Sequence, residues 1–156
     1  MMPAKHWQVH LIQLLAVLGL LIAFYLWLYH KGVLIAACSS SGWDDCGRVS
    51  GPNAPYAAIG SVPIALIGLW SYVLLFLLTW LKDWLPQLAA YLPELLVGVT
   101  GIAFLFSLGL TGLELFVIQA ICRYCVVSAV IVTFMFILSI SYLRQTNRDW
   151  QVRTAS

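Results

Sequence analysis

The run from Ala120 to Leu143, AICRYCVVSAVIVTFMFILSISYL, decides how this chain folds. It is apolar almost throughout, its only charge is Arg123 near the start, and it exceeds the roughly 20 residues that an α-helix needs to cross a bilayer core. Three further runs of the same kind lie upstream, at Leu11–Tyr29, Ser61–Leu81 and Leu92–Leu113. Hydrophobic residues make up 62% of the 156 and charged ones 9%, far from the balance of a water-soluble domain. These observations predict an all-α membrane protein. Its architecture is a four-transmembrane-helix bundle, one integral membrane domain over residues 1–156, with the loop 30–60 as an outer cap between the first two helices. A net charge of +2 is too small to argue for a nucleic-acid partner; the lipid membrane is the expected surroundings.

Orientation follows from the flanking cations. In a four-span arrangement Lys5, Lys82, Arg144, Arg148 and Arg153 share one side, and Lys31, Arg48 and Arg123 share the other. The bias places both termini in the cytoplasm of a multi-pass inner-membrane protein. The loop 30–60 and the start of the fourth span then face the periplasmic, or outer, side, where disulfide chemistry is permitted. Ile35-Ala36-Ala37-Cys38 looks like the box at which bacterial lipoproteins are cleaved and acylated. However, Leu11–Tyr29 is longer than the 7–15 residues of a signal core, and His30-Lys31 separates it from the box. The first span is therefore expected to stay.

Both ends of the outer face carry cysteines. Cys38 and Cys46 bracket seven residues of a polar loop rich in Ser, Gly and Asp. Taken alone, such a pair reads as a static extracellular staple. Cys122 and Cys125 form Cys-Arg-Tyr-Cys at the head of the fourth span. Spaced i, i+3 on a helix, they share a face and come close enough for a disulfide. At a helix N-terminus beside Arg123, a thiolate gains from unpaired N–H groups and the macrodipole, which makes it both nucleophile and leaving group. Buried cysteines also serve simply as packing. Two dithiols on one membrane face favour a relay over two staples. Ser128 and Ala129, one turn beyond Cys125, are small enough to border a space for a flat ring.

Other candidates are weaker. His6, His10 and His30 flank the first span and read as interfacial. A zinc site would need both cysteine pairs to converge, and the loop spacing is unlike the usual C-x₂₋₄-C. Glu114, near the outer end of the third span, is either a functional intramembrane acid or an interfacial partner for Arg123, the second being expected. Ala57-Ala58-Ile59 is expected to begin a short helix, with Pro63 in the first turn of the second span. The stretch Lys82–Tyr91, bounded by Trp80, Trp84 and Tyr91, is expected to be an interfacial turn. A non-enzymatic four-span scaffold with stapled loops is the reading from a different class; a CxxC inside a helix disfavours it.

The residues that carry the cysteines also carry a resemblance. Cys38-(seven residues)-Cys46, Pro55-Tyr56-Ala57, Pro63-Ile64-Ala65-Leu66-Ile67-Gly68, and Glu114-Leu115-Phe116-Val117-Ile118 leading into Ala120-Ile121-Cys122-Arg123-Tyr124-Cys125-Val126-Val127-Ser128-Ala129 resemble the vitamin K epoxide reductase family, in its bacterial branch. The likeness runs from about Leu11 to Leu143. It implies a four-helix bundle around a quinone, ubiquinone or menaquinone, in a thiol:quinone oxidoreductase that supports disulfide-bond formation. By position, Cys125 would meet the quinone with Cys122 as its partner, Cys46 would exchange with Cys122, and Cys38 with an external thioredoxin-like (DsbA-like) protein acting in trans. The chain departs from the pattern at Ala54, where many bacterial members have Ser before Pro-Tyr-Ala, and at Ser61, near a common Gly. Ala129 stands where vertebrate epoxide reductases place Tyr, which argues against epoxide reduction, the task of the alternative quinone or vitamin K epoxide reductase reading, as the physiological one.

Overall fold

The computed structural model describes residues 7–35 and 42–155. Among the described residues four helices are long and apolar enough to cross a membrane, and they account for most of the chain. α1 spans Trp7–His30, α3 Ile64–Leu81, α4 Pro86–Leu113 and α5 Arg123–Ala155; a one-turn helix, α2, covers Cys46–Ser50. The expected all-α four-span architecture is what the chain adopts, since backbone groups in lipid must find partners within their own helix.

Each helix starts and stops for a local reason. α1 contains no proline and ends at Gly32, whose φ of 72° only glycine adopts freely. The amide of Gly32 bonds to the Tyr29 carbonyl and that of Val33 to Leu28, a Schellman closure that satisfies the last carbonyls. α4 begins at Pro86, in the first helical position where the missing N–H costs nothing. It therefore opens six residues before the expected Leu92, absorbing Pro86–Tyr91, more than half of the predicted Lys82–Tyr91 turn. α5 likewise outruns its apolar stretch: nothing in Arg144–Ala155 breaks a helix, so it continues past the end of the greasy run.

Before α3, the structure corrects the sequence reading. Ala58–Ile59 form not a helix but β1, paired antiparallel with β2 at Val62–Pro63 in the register Ala58↔Pro63 and Ile59↔Val62. Four residues with a Gly60 turn close a hairpin more readily than a helix, which is costly to nucleate at this length. Pro63 is accordingly the residue before α3 and not within its first turn.

The bundle core is built from Ile12 and Ala16 of α1, Tyr72 and Leu75 of α3, Leu92 and Leu96 of α4, and Val132 and Met135 of α5. α1 packs along α3, and α4 along α5. Gly19 allows the closest approach, because a Cβ there would run into the Tyr72 ring. Hydroxyls inside the spans bond back to carbonyls one turn earlier, as Thr100 does to Leu96 at 2.6 Å and Ser139 to Met135 at 2.7 Å. Outward-facing Leu14, Leu18, Leu21, Ile102, Leu105 and Phe134 give the bundle an apolar exterior suited to lipid. At one end of the bundle α1 stops, α3 begins, α4 stops and α5 begins. The chain 42–63 lies across that end and brings α2 down onto it, where Cys46 and Val49 pack with Leu26, Ile118, Ala120 and Cys122.

Candidate functional site

The site is assembled from the capping loop, the junction between α4 and α5, and the cavity below them. Asp45 sets the first part. It caps α2, its Oδ1 accepting from the Gly47 amide at 2.9 Å and the Arg48 amide at 3.2 Å, which fixes Cys46 as the first helical residue. α4 runs on into a π-helical turn, Glu114–Ile118, and ends at Gln119 in the left-handed region (φ 52°). The chain then crosses Ala120–Cys122 in extended form and enters α5 at Arg123. Cys122 therefore stands immediately before the helix, its carbonyl accepting the Val126 amide at 3.0 Å, and Cys125 lies in the first turn. The helix N-terminus expected for the CxxC is in place.

Loop and junction are held together by polar contacts. The Ile121 amide bonds to the Trp43 carbonyl at 2.7 Å, and Asp44 bridges Ile121 in parallel fashion. Arg48 Nη2 donates to the Ile118 carbonyl at 3.2 Å, and His30 Nδ1 meets the Gly51 carbonyl at 3.1 Å. Arg123 pairs with Asp44, its Nε 3.0 Å from Oδ2. This corrects the expectation that Glu114 neutralises Arg123. The guanidinium is more than half exposed and turns out over the loop, whereas Glu114 is only 6% exposed and turns in beneath Cys122. Such an exposed ion pair is screened by solvent, so it sets register more than stability.

Within this clasp the sulfurs meet. Cys122 Sγ lies 3.3 Å from Cys46 Sγ, and both side chains are sealed from solvent. Cys46 is disulfide-bonded, while Cys122 and Cys125 are free thiols. A thiol in contact with a disulfide sulfur is the arrangement that exchange requires. Cys38 lies outside the described residues. The Cys122 thiol is held down at about 7, first by a hydrogen bond from Cys125 and then by the Cys125 and Tyr124 amides, against burial and the Glu114 charge. A value near neutrality makes Cys122 a thiolate in useful amount without draining its nucleophilicity.

Cys125 faces the other way, into a cavity of about 410 Å³ enclosed by all four spanning helices. That volume is typical of small-ligand sites. The wall is mostly apolar; Ser50, Glu114, Ser128 and Tyr72 line it together with Cys125, and His30, Tyr56, Ser71, Thr100, Ser107 and Thr111 add further polar groups. Ser50 Oγ lies 3.7 Å from Cys125 Sγ, and the Tyr72 hydroxyl lies 2.7 Å from Ser128 Oγ. Leu74 and Ile102 line the cavity yet are exposed, so its wall is open toward lipid between α3 and α4. A ring with polar oxygens and a hydrocarbon tail fits this lining: polar groups at one end, a greasy exit at the other.

Of the residues singled out from sequence, Cys46, Cys122, Cys125 and Ser128 come together here, and Ala129 lies off the cavity wall. Sequence reasoning missed Ser50, Tyr72 and Asp44. Ser50 had a signal: four residues after Cys46, it shares that cysteine's face in any helix begun by Asp45. Tyr72 also had one, as a hydroxyl in mid-span that must find a partner. Asp44 had none.

The chain matches the model of the vitamin K epoxide reductase family over residues 10–140, and it belongs to that family. No curated protein matches it. Membership makes it a membrane-embedded oxidoreductase of the quinone or vitamin K epoxide reductase type, a group whose members use quinones as electron acceptors.

Proposed function

We propose that this member of the vitamin K epoxide reductase family is a thiol:quinone oxidoreductase. It takes two electrons from a thioredoxin-like (DsbA-like) dithiol on the outer face and passes them through Cys38, Cys46, Cys122 and Cys125 to a membrane quinone. The observation that carries this reading is the 3.3 Å approach of Cys122 to the disulfide-bonded Cys46, with Cys125 behind it on the wall of an apolar cavity.

The chain's own groups divide the work. Cys38, which this reading pairs with Cys46, receives the partner's thiolate, and a mixed disulfide forms and resolves to leave Cys38 and Cys46 reduced. The Cys46 thiolate then attacks the Cys122–Cys125 disulfide at Cys122, and Cys38 closes back on Cys46 to release Cys122 and Cys125 as thiols. Loop oxidised and CxxC reduced is the distribution of bonds found at Cys46, Cys122 and Cys125. A bound quinone supplies the two-electron acceptor and leaves as quinol. Cys125 faces it, Ser50, Ser128 and Tyr72 offer hydroxyls for orientation, and the apolar wall excludes water. In sum, two partner thiols and one quinone become one disulfide and one quinol.

The test separates the two ends of the wire. Cys125→Ala is expected to abolish quinone reduction with any donor. Cys38→Ala is expected to spare reduction driven by a small dithiol and to block reduction driven by the protein partner. Equal loss of both activities in Cys38→Ala contradicts the division of labour.

A further inference from the structure

Glu114 is a carboxylic acid buried inside a membrane-spanning segment, a placement that is costly and is kept for function. It opens the π-helical turn at the end of α4, a distortion that recurs at functional sites. Its Oε2 accepts the Cys122 amide at 3.3 Å. Its side chain lines the cavity that Cys125 faces. The nearest cation in sequence, Arg123, is engaged by Asp44 on the outer surface. The carboxyl thus shares a cavity wall with the thiol that must lose a proton and faces the space where a reduced ring must gain one; among the described residues no lysine or arginine lines that space, and His30 is its other titratable nitrogen.

We infer that Glu114 is the proton relay of quinone reduction, its carboxylate taking the proton of the Cys125 thiol and handing it to an oxygen of the quinone. The inference rests on the thiol:quinone reading above and deepens it. Balance is straightforward. The S–H bonds of Cys122 and Cys125 break and the Cys122–Cys125 S–S bond forms, which releases two electrons and two protons. Both electrons go to the quinone. One proton travels through Glu114, the other is that of Cys122, and both finish on the quinol oxygens. Besides Glu114, the cavity wall carries hydroxyls and one imidazole, His30, and Glu114 is its only carboxyl among the described residues.

A purely architectural role, capping the Cys122 amide, is the competing explanation, and substitutions separate the two. Glu114→Gln keeps an oxygen for the Cys122 amide but cannot take a proton; Glu114→Asp keeps the acid on a shorter arm. Purified, fully reduced protein in detergent is mixed with a water-soluble ubiquinone analogue, and formation of the Cys122–Cys125 disulfide is followed by rapid quench and thiol trapping. Glu114→Gln is expected to slow this step on the order of 100-fold, the loss typical of a missing general base. Glu114→Asp is expected to recover part of the rate. A second readout needs no quinone: when diamide oxidises the dithiol, the infrared difference spectrum of wild type carries a carboxyl change that Glu114→Gln lacks. Wild-type kinetics in Glu114→Gln, or identical carboxyl regions in the two spectra, overturn the relay and leave the functional reading standing. A wild-type protein inert to the quinone overturns both.

Discussion

Removing the Cys125 thiol takes away the largest influence on the acidity of Cys122. The hydrogen bond from Cys125 is the largest influence holding Cys122 at about 7, against an ordinary value of 9.0. At pH 7 a thiol titrating at about 7 is about half ionised, and one at 9.0 is about 1% ionised, a ratio of roughly 50. Intrinsic nucleophilicity falls with acidity along a Brønsted slope of about 0.45, which over two pH units returns about eightfold. The net advantage at pH 7 is therefore about sixfold. The reactive form is the thiolate, so its supply is complete above the thiol's own midpoint and is lost as pH falls through it. The assay is a pH jump from acid on protein whose loop disulfide is intact, with the Cys46–Cys122 mixed disulfide trapped and counted by mass spectrometry. In Cys125→Ala that species cannot be carried forward to a Cys122–Cys125 disulfide, and only the return of Cys38 reverses it. Its rate of formation is expected to keep rising above pH 8, whereas attack by Cys122 in the wild type levels off above about pH 7. A Cys125→Ala profile that still levels off near 7 refutes the assignment of the hydrogen bond as cause.

Two further substitutions probe the scaffold. Asp45→Ala removes the cap of α2 at a cost of about 1 kcal/mol, and because α2 positions Cys46, the yield of the trapped Cys46–Cys122 species is expected to fall while the helical content seen by circular dichroism stays unchanged. Gly19→Leu forces a side chain into the Tyr72 ring, and overpacking of this kind costs about 1–3 kcal/mol; the thermal midpoint in detergent is expected to drop, and a variant as stable as wild type contradicts the packing described between α1 and α3.

How much of this was legible beforehand differs by level. Hydropathy alone located the four spans, because lipid leaves the chain no alternative to helix, and it misjudged only their ends: the α4 start at Pro86 and the α5 tail depend on caps and breakers, not on apolarity. The hairpin at Ala58–Pro63 was misread because four residues carry too little periodicity to separate strand from helix. Cysteine spacing and flanking charge placed both dithiols at one end of the bundle, where Cys46 and Cys122 are found in contact. What spacing could not give was partner choice among charges. Arg123 had Glu114 nine residues away and Asp44 seventy-nine away, and the more distant one won because the loop folds back over the α5 terminus. The same fold-back brings Ser50 to Cys125, a contact that exists only once α2 is laid on the bundle.

The central claim, that the four cysteines conduct electrons from protein thiols to the quinone pool, is tested most directly by the redox state of each cysteine in native membranes. Membranes with the quinone pool held oxidised are compared with membranes in which it has been chemically reduced, and free thiols are alkylated in both. The account predicts that Cys122 and Cys125 are disulfide-bonded with an oxidised pool and become alkylatable thiols when the pool is reduced and a thiol donor is present. The same alkylation pattern in both membranes would contradict it.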